Sequence, residues 1–212
     1  MPTDLAPAQL FDYLGVLIFA ATGALAAARK GYDIVTFIFF AAVTGIGGGT
    51  LRDLLIGAPV FWVRDSGYFA ASIVAAGAVW IFGHRRGLFA ALLWLDALGL
   101  AAYAVIGAAK AAAFGVAPLV CIVMGALTAT FGGVLRDVLA GEPSVLLRRE
   151  ITVTAALLAA GLFVALAWFG AEPWAAAAAG FVAGFLLRAG ALRYGWSLPG
   201  FSRGERGEPP PA

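Results

Sequence analysis

The chain has 212 residues, of which 62% are hydrophobic and 12% are charged, and its formal net charge is +2 at pH 7. With a mean hydropathy of +0.94, it has too little polar surface for a soluble domain of this size. The composition excludes a soluble globular protein and predicts an integral membrane protein.

Seven apolar segments are long enough to cross a bilayer core of about 30 Å. In chain order they are residues 10–28, 34–56, 68–82, 91–113, 119–140, 151–169 and 174–191. They predict an all-α fold in which residues 1–196 form one transmembrane domain and the third helix is the shortest. The remaining residues, 197–212, are rich in Gly, Pro and charge, a composition typical of a disordered tail.

An internal repeat relates the first three of these segments to the fourth, fifth and sixth. TGIGGGTLRDLLIGAP at residues 44–59 returns as TATFGGVLRDVLAGEP at residues 128–143, an offset of 84 residues, and such self-similarity is the signature of a duplication. Each unit has three predicted spans, so the second copy must enter the membrane upside down. We therefore predict a 3+3 inverted repeat (about 10–84 and about 91–170) and a seventh helix (about 174–196), an organisation characteristic of transport proteins.

Basic residues predict the orientation in the membrane, because Lys and Arg collect on the cytoplasmic side. Alternate predicted loops and ends carry nearly all of them, whereas the opposite side has little beyond Arg64. We expect the N-terminus outside and the C-terminal tail in the cytoplasm. The residues on the basic side are Arg29, Lys30, Arg85, Arg86, Arg148, Arg149, Arg193, Arg203 and Arg206.

Glycine clusters lie just past the middle of the second and fifth predicted helices, at Gly47, Gly48 and Gly49 and at Gly132 and Gly133. Glycine is costly inside a helix and permits unusual backbone angles. We expect both helices to be kinked and broken there, with the freed backbone groups facing a watery cavity. The alternative is close helix packing, since small residues let membrane helices approach each other.

Charged residues follow each glycine cluster: Arg52 with Asp53, and Arg136 with Asp137. Inside a membrane each costs about 2.5–3.5 kcal/mol on insertion scales, so each needs a partner or water. Because adjacent residues point about 100° apart on a helix, we expect the partners to come from other helices.

Depth along the helices, at about 1.5 Å per residue, predicts these partners. Asp12 comes to the level of Arg52 on the outer side, and the inverted copy places Asp96 at the level of Arg136 on the cytoplasmic side. The two arginines are then roughly 20 Å apart along the membrane normal. The alternative is that these charges are structural and contact no permeant species.

Lys110 breaks the symmetry of the repeat. It comes to the outer level and is predicted to contact Asp53, whereas the matching position in the first repeat is Ala26. Asp137 is therefore left without a predicted partner. We expect such an asymmetric charge to contribute to selectivity or gating.

The motif GGGTLRD in one half, GGVLRD in the other, the inverted duplication and the seventh helix together resemble the prokaryotic branch of the trimeric intracellular cation (TRIC) channel family. The likeness covers about residues 10–191. It implies a homotrimer in a bacterial inner membrane, in contact with membrane lipids. Each protomer would have its own pore for monovalent cations, chiefly K⁺ and Na⁺, lined by the two kinked helices.

The resemblance makes the glycine clusters hinges, although Phe131 stands where the first motif has Gly47. The predicted ion pathway consists of Thr44, Gly47, Gly48, Gly49, Arg52, Asp53, Lys110, Thr128, Gly132, Gly133, Arg136 and Asp137, with Asp12 and Asp96 as charge partners.

The chain also resembles a domain described as a glycine transporter, which makes a secondary transporter of a small zwitterionic or anionic solute the alternative. Helix N-termini near Arg52 or Arg136 would suit a carboxylate. If the arginines are neutralised by Asp12 and Asp96, the path favours cations; if they are free, it favours anionic groups.

Enzyme activity has little support in the sequence. The one histidine, His84, lies beside Arg85 and Arg86 at a predicted helix end, and no His/Cys cluster, P-loop or nucleophile motif is present. We expect no enzyme activity, cofactor, bound metal or nucleic-acid partner.

Overall fold

The computed structural model describes residues 5–83, 87–144 and 151–199, and these residues form eight α-helices. In chain order the helices are α1 (Leu5–Lys30), α2 (Ile34–Leu55), α3 (Phe61–Arg64), α4 (Gly67–Phe82), α5 (Leu88–Ala113), α6 (Pro118–Leu139), α7 (Val153–Trp168) and α8 (Pro173–Tyr194).

Seven of these helices coincide with the seven predicted membrane spans. Five of them (α1, α2, α5, α6 and α8) are long and apolar enough to cross a membrane. The other two, α4 and α7, are apolar helices of 16 residues each, about 24 Å long and thus shorter than a bilayer core of about 30 Å. The predicted all-helical membrane fold is confirmed, whereas the four-residue α3 was not predicted.

The packing of the helices follows the repeat. In the first copy α1, α2 and α4 pack against one another, and in the second copy α5, α6 and α7 do the same. The halves meet where α2 packs against α6 and α1 against α5. Even the turns correspond: Gly31 after α1 has φ +68° and Gly115 after α5 has φ +75°, left-handed values that favour glycine at a helix end.

α8 lies outside the repeat and covers the second copy, because it packs against α7 and α5. Two glycines of α8 allow this close approach. A Cβ added to Gly180 would lie 2.6 Å from the carbonyl oxygen of Ala159, and one added to Gly184 would lie 2.6 Å from the Cβ of Ala159. α8 therefore fills the surface groove between α5 and α7.

The predicted breaks at the glycine clusters are wrong. α2 is continuous through Gly47, Gly48 and Gly49, and α6 is continuous through Gly132 and Gly133. An unbroken helix keeps its backbone hydrogen bonds, which hydrocarbon cannot replace. The close-packing alternative describes these glycines better.

Several sequence predictions concern residues outside the described ranges. These are His84, the basic residues Arg85, Arg86, Arg148, Arg149, Arg203 and Arg206, and the part of the tail from residue 200 onward. The membrane orientation and the domain limits remain predictions.

Candidate functional site

The centre of the site is the crossing of α2 and α6, where the two backbones touch. A Cβ on Gly48 would collide with the carbonyl oxygen of Thr128, and a Cβ on Gly132 would collide with the carbonyl oxygen of Thr44. The 84-residue offset converts one contact into the other. The crossing therefore lies on the pseudo-two-fold axis of the repeat, and it depends on the absence of two side chains.

The two threonines at the crossing differ in their hydroxyl groups. Thr128 Oγ1 donates a hydrogen bond of 2.6 Å to the carbonyl oxygen of Met124, whereas Thr44 Oγ1 is buried and has no hydrogen-bond partner among the described residues. Buried polar groups are usually hydrogen-bonded. Thr44 Oγ1 lies against Gly23 of α1, where an added Cβ would be 2.5 Å away, so a polar atom without a hydrogen bond to any described residue is buried between α1 and α2.

On one side of the crossing lies the Asp53 cluster, formed by Arg52, Asp53 and Lys110. Asp53 Oδ1 accepts hydrogen bonds from Arg52 Nε at 2.8 Å and forms ion pairs with Arg52 Nη2 at 2.7 Å and Lys110 Nζ at 2.8 Å. Oδ2 accepts from Lys110 Nζ at 3.0 Å and from the amide of Phe61 at 3.1 Å. The Asp53 side chain is 0% exposed, so in this conformation it is fully occupied by protein donors.

The short helix α3 closes this end of the site. Besides the Phe61 amide on Asp53, the Phe61 ring fills the space beside Gly49, where a Cβ would lie 2.7 Å from Cε1. Trp62 Nε1 donates to Thr50 Oγ1 at 2.9 Å. α3 is therefore fixed to α2 beside the charged cluster.

On the other side of the crossing lies the Asp137 cluster, formed by Arg136, Asp137 and Thr22. Arg136 Nε and Nη2 donate to Asp137 Oδ1 at 3.0 and 2.9 Å, and Nη1 donates to Thr22 Oγ1 at 3.1 Å. The side chains of Arg136 and Asp137 are 21% and 8% exposed, against 5% and 0% for Arg52 and Asp53. The Asp137 cluster is therefore the more accessible of the two.

A small cavity of about 60 Å³ adjoins the Asp137 cluster and is lined by Arg136 and Asp137 together with Lys30 and Glu142. Lys30 Nζ and Glu142 Oε1 form an ion pair of 3.1 Å across it. The cavity thus joins the cluster to the end of the bundle where α1 and α6 end.

The predicted partner of Arg52 is wrong. Arg52 forms its ion pair with its neighbour Asp53, and no ion pair joins it to Asp12 in the part of the chain that the structure describes. Asp12 still lies near enough for electrostatic interaction with Arg52 and Lys110. The predicted contact between Lys110 and Asp53 is present.

The second predicted pair is also wrong, because Arg136 pairs with Asp137 and not, within the described ranges, with Asp96. Asp137, for which no partner was predicted, is therefore the partner of its own neighbour. A side chain as long as that of Arg reaches back to an adjacent Asp, even though their Cβ atoms point about 100° apart.

The chain is similar in sequence to a known protein family and to membrane proteins of bacteria. A family model described as "Glycine transporter" matches residues 9–84 and again residues 93–168, two stretches offset by 84 residues. A UPF0126 membrane protein of Vibrio cholerae is 38% identical over 91% of this chain and 82% of that protein. The UPF0126 inner membrane protein YadS of Escherichia coli K12 is 36% identical over 92% of this chain and 97% of that protein.

Solved structures give a closer match. The TRIC trimeric intracellular cation channel orthologue from Rhodobacter sphaeroides is 51% identical and superimposes with a TM-score of 0.84, over 88% of this chain and 97% of that one. The chain belongs to the TRIC channel family. Another TRIC cation channel structure is 30% identical, with a TM-score of 0.82, over 92% of this chain and 97% of that one. The family resemblance found in the two glycine-Arg-Asp motifs is confirmed, and in this TRIC family member both charged clusters lie within the residues that the family model matches.

Proposed function

We propose that this chain is a channel for monovalent cations, chiefly K⁺ and Na⁺, and not an enzyme. Each protomer of a homotrimer would have its own pathway, lined by α2 and α6, in the inner membrane of a bacterium. Support comes from the similar structures, which are described as a trimeric intracellular cation channel orthologue and as TRIC cation channels. The proposed orientation places the N-terminus outside and the Asp53 cluster on the outer side.

The observation that carries the proposal is the pairing of the arginine in α2 and of the arginine in α6 with the aspartate that follows each of them. Arg52 binds Asp53 and Arg136 binds Asp137, so each guanidinium has a carboxylate partner, and Asp53 also binds Lys110. Because a positive ring would exclude cations and attract anions, neutralised arginines favour a cation path.

In this conformation the proposed pathway is closed at the helix crossing. The backbone contacts at Gly48 and Gly132 leave no room for an ion between α2 and α6, so conduction requires these helices to separate. At the outer end Lys110 Nζ lies within 3.0 Å of both oxygens of Asp53. A permeant cation that binds Asp53 must therefore compete with Lys110.

The test is an electrical recording of the purified protein in planar bilayers. We expect discrete single-channel currents whose reversal potential follows the K⁺ gradient. Lys110→Ala should change conductance, gating or selectivity, because it removes a fixed positive charge from the proposed path. Unchanged currents in Lys110→Ala would remove Lys110 from the pathway, and the absence of any current would refute the channel.

The second candidate is a secondary transporter of a small solute such as glycine, which the description of the matching family model favours. A glycine carboxylate would need Arg52 or Arg136 as its partner, and both already bind an aspartate. Saturable uptake of glycine into proteoliposomes, without single-channel current, would support the transporter.

The oligomeric state is tested separately. Native mass spectrometry of the detergent-solubilised protein should give three copies per assembly. A monomer or dimer in that measurement, with intact single-channel currents, would contradict the homotrimer without contradicting the channel.

A further inference from the structure

A groove runs along the surface between α1 and α4, which we call the α1/α4 groove. Its deeper part has a volume of about 280 Å³ and includes Leu17 and Ala21. The part nearer the end of α1 has a volume of about 420 Å³ and includes Leu25 and Ala28. These four residues follow one stripe of α1 at helical spacing, and Val79 of α4 lines both parts.

The two parts of the groove differ in chemistry. The deeper part exposes no polar surface. The other part is bordered by Arg29, Tyr32 and Trp80, and Arg29 is the one charged residue among the described residues that line it. Arg and amphipathic aromatic side chains at a helix end are typical of the level of lipid headgroups.

The length of the groove matches half of a bilayer. Arg29 and Leu17 are twelve residues apart on α1, about 18 Å along the helix axis, and half of a hydrocarbon core is about 15 Å. A molecule with a charged group at Arg29 and an apolar chain reaching Leu17 therefore fits within one leaflet.

The repeat shows what the apolar part of the groove is built to hold. In the second copy α8 occupies the equivalent position, and Gly180 packs against Ala159, Phe163 and Val105. The 84-residue offset maps those three residues onto residues that line the deeper groove, namely Ala75, Val79 and Ala21. The helix α8 covers this surface in the second repeat, whereas no described residue covers the matching surface in the first repeat.

The polar end of the groove belongs to the first repeat alone. The residues that match Arg29, Tyr32 and Trp80 in the second repeat are Ala113, Val116 and Val164. The first copy thus has a positive, aromatic end where the second copy is aliphatic. This difference indicates a ligand that has a negatively charged head.

We propose that the α1/α4 groove binds an anionic phospholipid, with its phosphate at Arg29 and Tyr32 and an acyl chain along Leu17, Ala21 and Val74. Basic pockets between helices at the membrane surface are known to take anionic headgroups. A phospholipid supplies the negative head and the apolar chain in one molecule, which a helix of a second copy does not. The apolar part of the groove contains no residue of the proposed pathway, whereas Arg29 also lines the cavity beside Arg136 and Asp137.

The headgroup is tested by native mass spectrometry of the protein released from vesicles of equal phosphatidylglycerol and phosphatidylcholine. We expect wild type to retain phosphatidylglycerol preferentially, and Arg29→Gln to reduce that preference about fivefold, the size expected for one basic residue near an anionic surface. The matched control is Arg193→Gln, which removes another exposed arginine at a helix C-terminus outside the groove. The control should retain the wild-type preference.

The apolar part is tested by filling it. Ala78 is exposed and lines the deeper groove, and Ala78→Leu introduces the residue that the second repeat has at the matching position, Leu162. We expect Ala78→Leu to reduce retention of both lipids, while Ala70→Leu, at an exposed position of α4 outside the groove, should not. Thermal unfolding of each variant reports whether the fold is kept.

Three results would overturn the proposal. Wild-type lipid retention in both Arg29→Gln and Ala78→Leu would show that the groove holds no lipid. An equal loss in Arg193→Gln would show binding to the general lipid belt only. Efficient disulfide formation between copies of Val74→Cys in membranes would show that a second copy of the chain occupies the groove.

Discussion

The two adjacent glycines of α6 should respond in opposite ways to the addition of one methyl group. A Cβ at Gly132 would overlap the carbonyl oxygen of Thr44, whereas the nearest atom to a Cβ at Gly133 is Arg136 Nη2 at 3.7 Å. The carbonyl belongs to the backbone of α2, so no change of rotamer relieves the overlap. Gly132→Ala must push α2 and α6 apart, and Gly133→Ala need not.

The expected magnitude follows from two opposing terms. Alanine is favoured over glycine inside a helix by about 1 kcal/mol, and this gain is common to both variants. Overpacking at a close contact costs about 1–3 kcal/mol and applies to Gly132→Ala alone. The free energy of unfolding should therefore be lower in Gly132→Ala than in Gly133→Ala by about 1–3 kcal/mol, measured by denaturant unfolding in mixed micelles.

The same comparison tests the proposed gate. If conduction requires α2 and α6 to separate at the crossing, Gly132→Ala should raise the open probability in planar bilayers, and Gly133→Ala should leave it near the wild-type value. The first repeat provides a second pair of variants. A Cβ in Gly48→Ala would overlap the carbonyl oxygen of Thr128, whereas a Cβ in Gly47→Ala would lie 3.1 Å from Cδ1 at the flexible end of the Leu135 side chain. Equal effects of the two alanines in each pair, on both stability and open probability, would refute the crossing as the gate.

Three further predictions concern the charged residues. Asp53→Asn removes the buried negative charge that Arg52 and Lys110 share and should lower the free energy of unfolding by about 3–5 kcal/mol. Lys110→Ala should cost less, because the Lys110 side chain is 30% exposed and Asp53 keeps its other donors; denaturant unfolding of both variants checks the order. Lys30→Gln should change stability by less than about 1 kcal/mol and only at low salt, because the side chains of Lys30 and Glu142 are 36% and 45% exposed. The hydrogen bond from the backbone amide at the start of α2 lowers the pKa of Asp33, so its stabilising effect is present above the usual pKa and is lost as the pH falls through the lowered one. The stability difference between wild type and Asp33→Ala should therefore shrink at acid pH, as measured by unfolding over a pH series.

The sequence predicts the spans and the duplication well because each depends on a long pattern. An apolar segment long enough to cross a membrane must satisfy its own backbone hydrogen bonds, which a helix does. The 84-residue offset relates many positions of the two repeats at once. α3 was missed because it has four residues, Phe61 to Arg64, which make about one helical turn, and one turn is too short to show a repeated hydrophobic pattern. Its position depends on hydrogen bonds to Asp53 and Thr50, which are tertiary contacts.

The errors at the site have two physical causes. The prediction of a break at the glycine clusters underestimated how strongly a membrane favours an intact helix. In hydrocarbon, backbone groups that are freed from a helix have no water to bind. The rule that adjacent residues on a helix face different directions describes their Cβ atoms. The side chain of Arg52 is long enough to bend back to Asp53 in spite of that difference in direction. The contact between Lys110 and Asp53 was predicted because the two residues lie at the same depth, but depth does not determine which faces of two helices meet, and the depth-based pair of Arg52 with Asp12 is not formed among the described residues.

The two charged clusters are each completed by a helix of the other repeat. Asp53 in the first copy binds Lys110 of α5, which belongs to the second copy, and Arg136 in the second copy binds Thr22 of α1, which belongs to the first. The 84-residue offset matches Thr22 of α1 with Ile106 of α5, which lies one helical turn before Lys110. Equivalent helices thus reach across the crossing with different chemistry, a cation at one end and a hydroxyl at the other. Each cluster pairs its arginine with an aspartate of the same copy and has one further contact from the other copy, so opening at the crossing should disturb both clusters together.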